Sequence, residues 1–194
     1  RGVICGNCPT SQITTAWQWV DKISNHMLYF LENHDEQRIA SDYFAGDGFR
    51  AYPALAVNML MRSNPFMVYA GQEYGERGMD SEGFSGKDGR TTIFDYWTVP
   101  SLHRALVAKE STADEHKLST MYDCILSIAS TEKAVGEGQF FDLMYVNEHI
   151  AQKQYAFIRK ADNEMLLVVA NFANEAVSVK VNIPISWAYP RATF

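Results

Sequence analysis

Three consecutive residues, Asn33, His34 and Asp35, place an amide, an imidazole and a carboxylate at the end of the apolar run Met27-Leu28-Tyr29-Phe30-Leu31. A fixed carboxylate can stabilise developing positive charge, and an imidazole, neutral or charged, has an N–H to donate. The run that delivers them is apolar on both faces, which suits a strand covered on both sides in a parallel sheet. A buried strand that breaks into polar residues at its carboxyl end is where an α/β barrel puts its chemistry. The residues alone leave a second reading open: a solvated turn in which Asp35 bonds only its own loop.

The elements around this turn predict a strand–helix–strand unit. Ala16, Trp17, Val20 and Ile23 recur at helical spacing over 14–23, and Ser24-Asn25 ends that helix. A polar loop over 36–48 contains the turn signal Gly46-Asp47-Gly48. A second helix is expected over 49–62, with Phe49, Tyr52, Leu55, Ala56, Met59 and Leu60 on one stripe and Pro53 early enough to be tolerated. Asn64-Pro65 ends it, and Phe66-Met67-Val68-Tyr69-Ala70 is a second apolar run of strand length, closed by Gly71. Two buried strands joined by a helix should pair in parallel.

Residues 71–96 are rich in Gly, Asp and Ser, and so long a loop in a compact domain is normally functional. Helices follow over 101–108 and 114–130, the latter with Leu118, Met121, Tyr122, Ile125, Ile128 and Ala129 as its buried stripe. After Gly136-Glu137-Gly138 the period falls to two. Phe141, Leu143 and Tyr145 alternate; Tyr155, Phe157 and Ile158 follow; a turn at Asp162-Asn163 leads into an apolar strand over 165–170; and Val177, Val179, Val181 and Ile183 alternate again. Four successive strands imply an antiparallel sheet in a separate module, with residues 1–136 and 137–194 as the two units.

A formal net charge of −6 argues against a nucleic-acid partner, and no run approaches the ~20 apolar residues that span a bilayer. Cys5, Cys8 and Cys124 form neither a disulfide framework nor a zinc site, since the single C-x-x-C has no second pair. The odd count leaves the compartment open, with a secreted or periplasmic location preferred to a cytoplasmic one. The chain begins at Arg1, without an initiator Met, and reads as a piece of something longer.

Taken in order, the segments resemble the last quarter of the barrel of the alpha-amylase family of glycoside hydrolases and the β-sandwich that follows it. Residues 30–35 look like the seventh barrel strand and its signature. Val68-Tyr69-Ala70-Gly71-Gln72-Glu73-Tyr74-Gly75 is similar to the eighth strand and the loop beyond, Ile93-Phe94-Asp95-Tyr96-Trp97 to a segment of the next excursion, and 136–143 to the start of the C-terminal module. The resemblance implies an α/β plus all-β fold: the last two βα units of a (β/α)8 TIM barrel over 1–136, then an antiparallel sandwich, cut short, over 137–194.

It also implies chemistry. A retaining glycosidase passes through an oxocarbenium-like transition state between two carboxyls. The family adds a third carboxylate, which falls at Asp35, with His34 hydrogen-bonding the same sugar. Asn33 is a further candidate substrate-binding residue, or orients Asp35 by bonding the neighbouring backbone. Arg38, three residues after Asp35, is another candidate by its distance along the chain, with a plain surface arginine as the equal alternative. Glu32 is expected to pair with Arg38 or Arg62, Gly71 to permit a turn, and Glu73 to be a structural carboxylate. Phe94, Tyr96 and Trp97 could stack on sugar rings, though packing of the long loop is the preferred use.

Neither nucleophile nor general acid is expected here, because both lie on earlier strands of the family. Gly48-Phe49-Arg50 echoes the nucleophile's setting, but Tyr52 stands where Asp is required. The implied parent is a retaining alpha-amylase-type hydrolase of α-glucosidic bonds in starch or maltooligosaccharides, with these 194 residues alone inactive. A glucosyltransferase of the same family and a non-catalytic glycan-binding or structural relative are the alternatives. An α-glucan or oligosaccharide is the implied partner. No metal or cofactor is implied within these residues, any calcium of the parent being bound elsewhere. Exposed strand edges should make the piece self-associate.

Overall fold

The computed structural model describes residues 1–82 and 86–184. The first helix, α1 (Ser11–Val20), starts earlier than its apolar spacing indicates, with Thr10 just before it. The Thr10 hydroxyl donates to the backbone oxygens of Ala151 (2.9 Å) and Gln154 (2.6 Å), so it ties the helix start to the distant C-terminal sheet. Strand β1 (Tyr29–Phe30) follows. Then comes a 3-10 turn, Gly48–Ala51, capped by the Asp47 carboxylate, to which Phe49 N donates at 2.9 Å. That turn runs straight into α2 (Tyr52–Met61), with Pro53 at its start, where a missing N–H costs nothing. Helix α2 buries Ala54, Leu55, Val57, Leu60 and Met61.

Strand β2 (Phe66–Met67) pairs with β1 in parallel, Tyr29 opposite Phe66 and Phe30 opposite Met67. The expected strand–helix–strand unit is therefore present, but both strands are shorter than their apolar runs. Nor is β1 covered on both sides: Leu28 and Phe30 are exposed. Among the described residues β1 has β2 as its one neighbour, so nothing pairs with its other edge.

A short turn, α3 (Pro100–Leu102), continues as a π-helical stretch, His103–Ala108. The long helix α4 (Ala113–Thr131) has a reciprocal cap: Glu115 N donates to Thr112 Oγ1 at 3.1 Å, and Thr112 N donates to the Glu115 carboxylate at 2.8 Å. It buries Leu118, Tyr122 and Ile125 on one face, and α5 (Lys133–Gly136) closes the helical part.

Three antiparallel strands follow, β3 (Gln139–Asp142), β4 (Gln154–Ala161) and β5 (Glu164–Asn171), in that spatial order. The β4–β5 hairpin turns at Asp162-Asn163, where Asp162 takes φ +48°. The expected fourth strand does not form. Residues 177–183 are instead fastened to the 3-10 turns after β3. Asn182 N donates to Asn147 Oδ1 (2.7 Å), while Asn147 Nδ2 donates to Asn182 O (3.0 Å). The alternation of Val181 and Ile183 is used in packing on the core rather than in sheet pairing. A three-stranded sheet is thus present where a sandwich was expected, and residues 185–194, part of that module, lie outside the described residues.

One core runs through both parts, joining Leu55 of α2, Leu118 and Tyr122 of α4, and Tyr155, Phe157 and Ile158 of β4. Arg159 of β4 stitches the join: its guanidinium donates to the carbonyls of Met61 (2.8 Å), Ala134 (3.1 Å) and Val135 (2.5 Å). Asp142 of β3 makes a second seam, accepting from Thr14 (2.5 Å), Trp17 (3.0 Å) and Tyr155 (2.7 Å).

Candidate active-site rim

The loop after β1 is built around two side chains facing opposite ways. Asn33 turns into the loop: its Oδ1 accepts from the backbone N–H groups of Asp35 (3.0 Å) and Glu36 (2.9 Å). This is an Asx turn, and it fixes the peptide that carries Asp35. The Asp35 side chain is 75% exposed and His34 49%, with His34 Nε2 3.4 Å from Asp35 Oδ1. A carboxylate and an imidazole thus stand together in solvent on a turn that their neighbour holds.

Below the turn lies the opposite environment. Glu32 and Arg38 are both fully buried and paired, Nη1 to Oε2 at 2.8 Å, and Ile39 N donates to the other Glu32 oxygen at 2.7 Å. Burial pushes the Glu32 carboxyl above its ordinary value, against the pull of the Arg38 charge and hydrogen bond and of the Ile39 N–H. Arg38 also donates to Thr91 Oγ1 (3.0 Å) and Ala70 O (2.7 Å), and its guanidinium lies 4.1 Å over the Tyr69 ring.

The expectation that Arg38 contacts substrate is corrected by this burial, because a side chain wholly shielded from solvent has no access to a sugar in the cleft. It is not a surface arginine either. Its work is to bind the loop after β1 to Tyr69 and Ala70 after β2, and both to Thr91 of the long excursion. Of the two partners expected for Glu32, Arg38 is the one found; Arg62 pairs with Asp21 at 2.7 Å.

After β2, Gly71 adopts φ +88°, and a Cβ there would come within 2.9 Å of Ser101 Oγ and 3.1 Å of the Glu76 side chain. Gln72 is buried and donates to the Tyr122 hydroxyl of α4 at 2.9 Å. Glu73 is partly buried, with one carboxyl oxygen shielded from solvent and unpaired, and burial raises its carboxyl above the ordinary value. Glu76, although burial acts to raise it, is held below its ordinary value by the Ser101 hydroxyl (2.6 Å) and the N–H groups of Gly78 (2.9 Å) and Ser101 (3.1 Å).

The excursion folds back onto the rim. Arg38 N donates to Gly89 O (2.6 Å), the Tyr69 hydroxyl to Thr91 O (3.2 Å), and Arg90, bound to Asp88, feels the charges of Asp35 and Glu36. Phe94 and Tyr96 stack on one another in the excursion, ring centroids 5.9 Å apart, and both are about half exposed. Thr91 and Ser101 escape a reading by motif, since their role lies in tertiary hydrogen bonds that leave no period in the sequence. Among the described residues no three His, Cys, Asp or Glu side chains are grouped to hold a metal, and no helix is long and apolar enough to cross a membrane.

Parallel strands joined by a helix, with polar loops gathered beyond the carboxyl end of each, form a βαβ unit of the kind that builds a (β/α) barrel. The alpha-amylase catalytic-domain model matches residues 8–135, and the chain belongs to that family. Solved structures agree in fold. AmyP in complex with maltotriose is 15% identical, at a TM-score of 0.62, over 88% of this chain and 38% of its own. Amy13B of Eubacterium rectale is 20% identical, at 0.58, over 90% and 37%. The trehalose-6-phosphate hydrolase TreA of Bacillus licheniformis is 17% identical, at 0.55, over 82% and 36%. The chain therefore spans less than two-fifths of the length of these neighbours. No curated protein matches it.

Proposed function

We propose that this chain is part of a retaining alpha-amylase-type glycoside hydrolase that cleaves α-glucosidic bonds in starch or maltooligosaccharides. Asp35 supplies a fixed negative charge beside the sugar at the cleavage point, and His34 donates an N–H to a hydroxyl of the same sugar. The observation that carries this reading is the division of labour in one short loop. Asn33 holds the turn and the buried Glu32–Arg38 pair anchors it to the loop after β2, which leaves the Asp35 and His34 side chains in solvent beside one another, 3.4 Å apart. In water an exposed carboxylate acts weakly. Under a bound sugar that excludes water, the same charge acts strongly on an oxocarbenium ion.

Support for the substrate class comes from neighbours of the same fold solved with maltose and maltotriose. The nucleophile and general acid belong to the barrel strands outside this chain, so the 194 residues alone release no reducing sugar. Incubating the full-length protein with maltoheptaose and following the products by proton NMR tests the reading. Release of α-anomeric maltooligosaccharides is expected. A β-anomeric product, or none, refutes it, and accumulation of longer oligosaccharides assigns the protein to glucosyl transfer instead.

A further inference from the structure

We propose that the recess where α1, the end of α2 and the first strands of the C-terminal sheet meet binds a phosphate group, free or carried by a small sugar, on Arg62 and Arg159. The recess has a volume of about 510 Å³ and takes Trp17 and Asp21 from α1, Arg62 from the end of α2, Phe140 from β3 and Arg159 from β4. Asn25 and Asn64, which also line it, come just before β1 and β2, whereas His34, Asp35 and Gly71 come after them. In a parallel pair this places the recess at the opposite end of the strands from the proposed cleavage point. The site does not depend on the glucan reading.

The charges in the recess are unbalanced. Two guanidinium groups meet there in a chain whose net charge is −6, and Asp21 is the one carboxylate among the lining residues. Arg62 has five N–H donors and spends one, Nη2, on Asp21 Oδ1 at 2.7 Å. Among the described residues its Nη1 has no acceptor, and its Nε is covered and has none either. Arg159 spends three donors on the carbonyls of Met61, Ala134 and Val135, which leaves one N–H on each Nη. Burial, and after it the nearby charge of Arg62, holds the Arg159 guanidinium below its ordinary value. An anion set between two like charges removes their repulsion and meets the donors left over.

The cations are held in place before any ligand arrives. The Arg62 guanidinium lies 5.6 Å from the Trp17 ring and 5.4 Å from the Phe140 ring, and these two rings meet edge to face at 5.3 Å. Trp17 is fixed in turn by Asp142, and Phe140 stands opposite Arg159 in the β3–β4 ladder. A ligand that meets groups already ordered loses less to ordering them. The planar fork of a guanidinium matches an oxyanion. A tetrahedral phosphate presents oxygens in several directions and so serves both forks at once, whereas a planar carboxylate such as Asp21 serves one. Ser63 and Gln139 add neutral polar groups on the same wall, suited to the hydroxyls of an attached sugar.

The test is titration calorimetry of the full-length protein with inorganic phosphate and with glucose-6-phosphate, at an ionic strength held constant with sodium chloride. Binding of at least one is expected, and the tighter of the two identifies the source of the phosphate group. Arg62→Gln should weaken that binding about ten- to a hundredfold, and Arg62→Lys, which keeps the charge and loses the fork, about three- to tenfold. Asp21→Asn frees Nη2 and removes the competing negative charge, so it should tighten binding about three- to tenfold, a gain that damage to the fold does not imitate. Phosphate should also raise the thermal midpoint of the wild type and of Asp21→Asn, and leave that of Arg62→Gln where it was. No binding of either compound by the wild type up to about 10 mM overturns the site, as does binding that Arg62→Gln and Asp21→Asn both leave within about twofold.

Discussion

Replacing Arg38 with methionine removes the cation at the centre of the rim and keeps most of the volume of its stem. The lost guanidinium bonded Glu32, Thr91 and Ala70 O at 2.8, 3.0 and 2.7 Å. Glu32, itself buried, is left with the Ile39 N–H at 2.7 Å as its remaining donor. Removing one partner of a buried ion pair costs about 3–5 kcal/mol, a large share of the about 5–15 kcal/mol that holds an ordinary domain. The cost depends on pH, with a sign set by Glu32. Burial already raises this carboxyl in the folded chain, and without Arg38 it rises further. A group whose folded value lies above its ordinary value of 4.5 loses stability as pH climbs from there through the folded value. Arg38→Met should therefore lie nearest the wild type at about pH 4.5 and be worst at neutral pH. Urea unfolding at the two pH values measures this, and the double variant Glu32→Gln/Arg38→Met should recover more than half of the neutral-pH loss. A loss below about 1 kcal/mol, or an equal loss at both pH values, refutes the reasoning.

Other substitutions probe the neighbouring joints. Asn33→Ala removes the acceptor of two backbone N–H groups; it should cost about 1 kcal/mol by thermal melting and lower kcat in the full-length protein. Asp142→Ala leaves the donors of Thr14, Trp17 and Tyr155 without their common acceptor. About 3 kcal/mol should be lost in chemical denaturation, with a shift in tryptophan emission as Trp17 is freed. The edge of β1 that pairs with nothing among the described residues, together with the exposed side chains of Leu28, Phe30, Trp19 and Ile23, should make the 194-residue chain associate. Light scattering should then show a mass that rises with concentration, whereas a constant monomer mass contradicts it.

Much of this architecture was legible as pattern. The stripe on α2 placed that helix to within a turn, and the parallel pairing of β1 with β2 followed from two apolar runs with a helix between them. The change of period after residue 136 located the antiparallel sheet. The failures share one cause, which is that pattern records a tendency to be buried without naming the neighbour. Val177, Val179, Val181 and Ile183 alternate as a strand does, yet Asn147 takes both backbone groups of Asn182 among them, and no ladder forms among the described residues. Arg38 was placed by its sequence distance from Asp35, but a guanidinium so close to Glu32, Ala70 O and Tyr69 is drawn inward by them. At the turn itself, the side chains Asn33, His34 and Asp35 could be named in advance, while the split between holding the loop and facing solvent appears only with coordinates.

The central claim is that Asp35 acts on the transition state rather than on the fold or on ground-state binding. Steady-state kinetics of Asp35→Asn in the full-length protein, with maltoheptaose as substrate, tests it most directly. The substitution keeps the shape of the exposed side chain and deletes its charge, so kcat should fall about 100- to 1,000-fold with KM and thermal midpoint nearly unchanged. A kcat within about threefold of the wild type, or a loss confined to KM, contradicts the account.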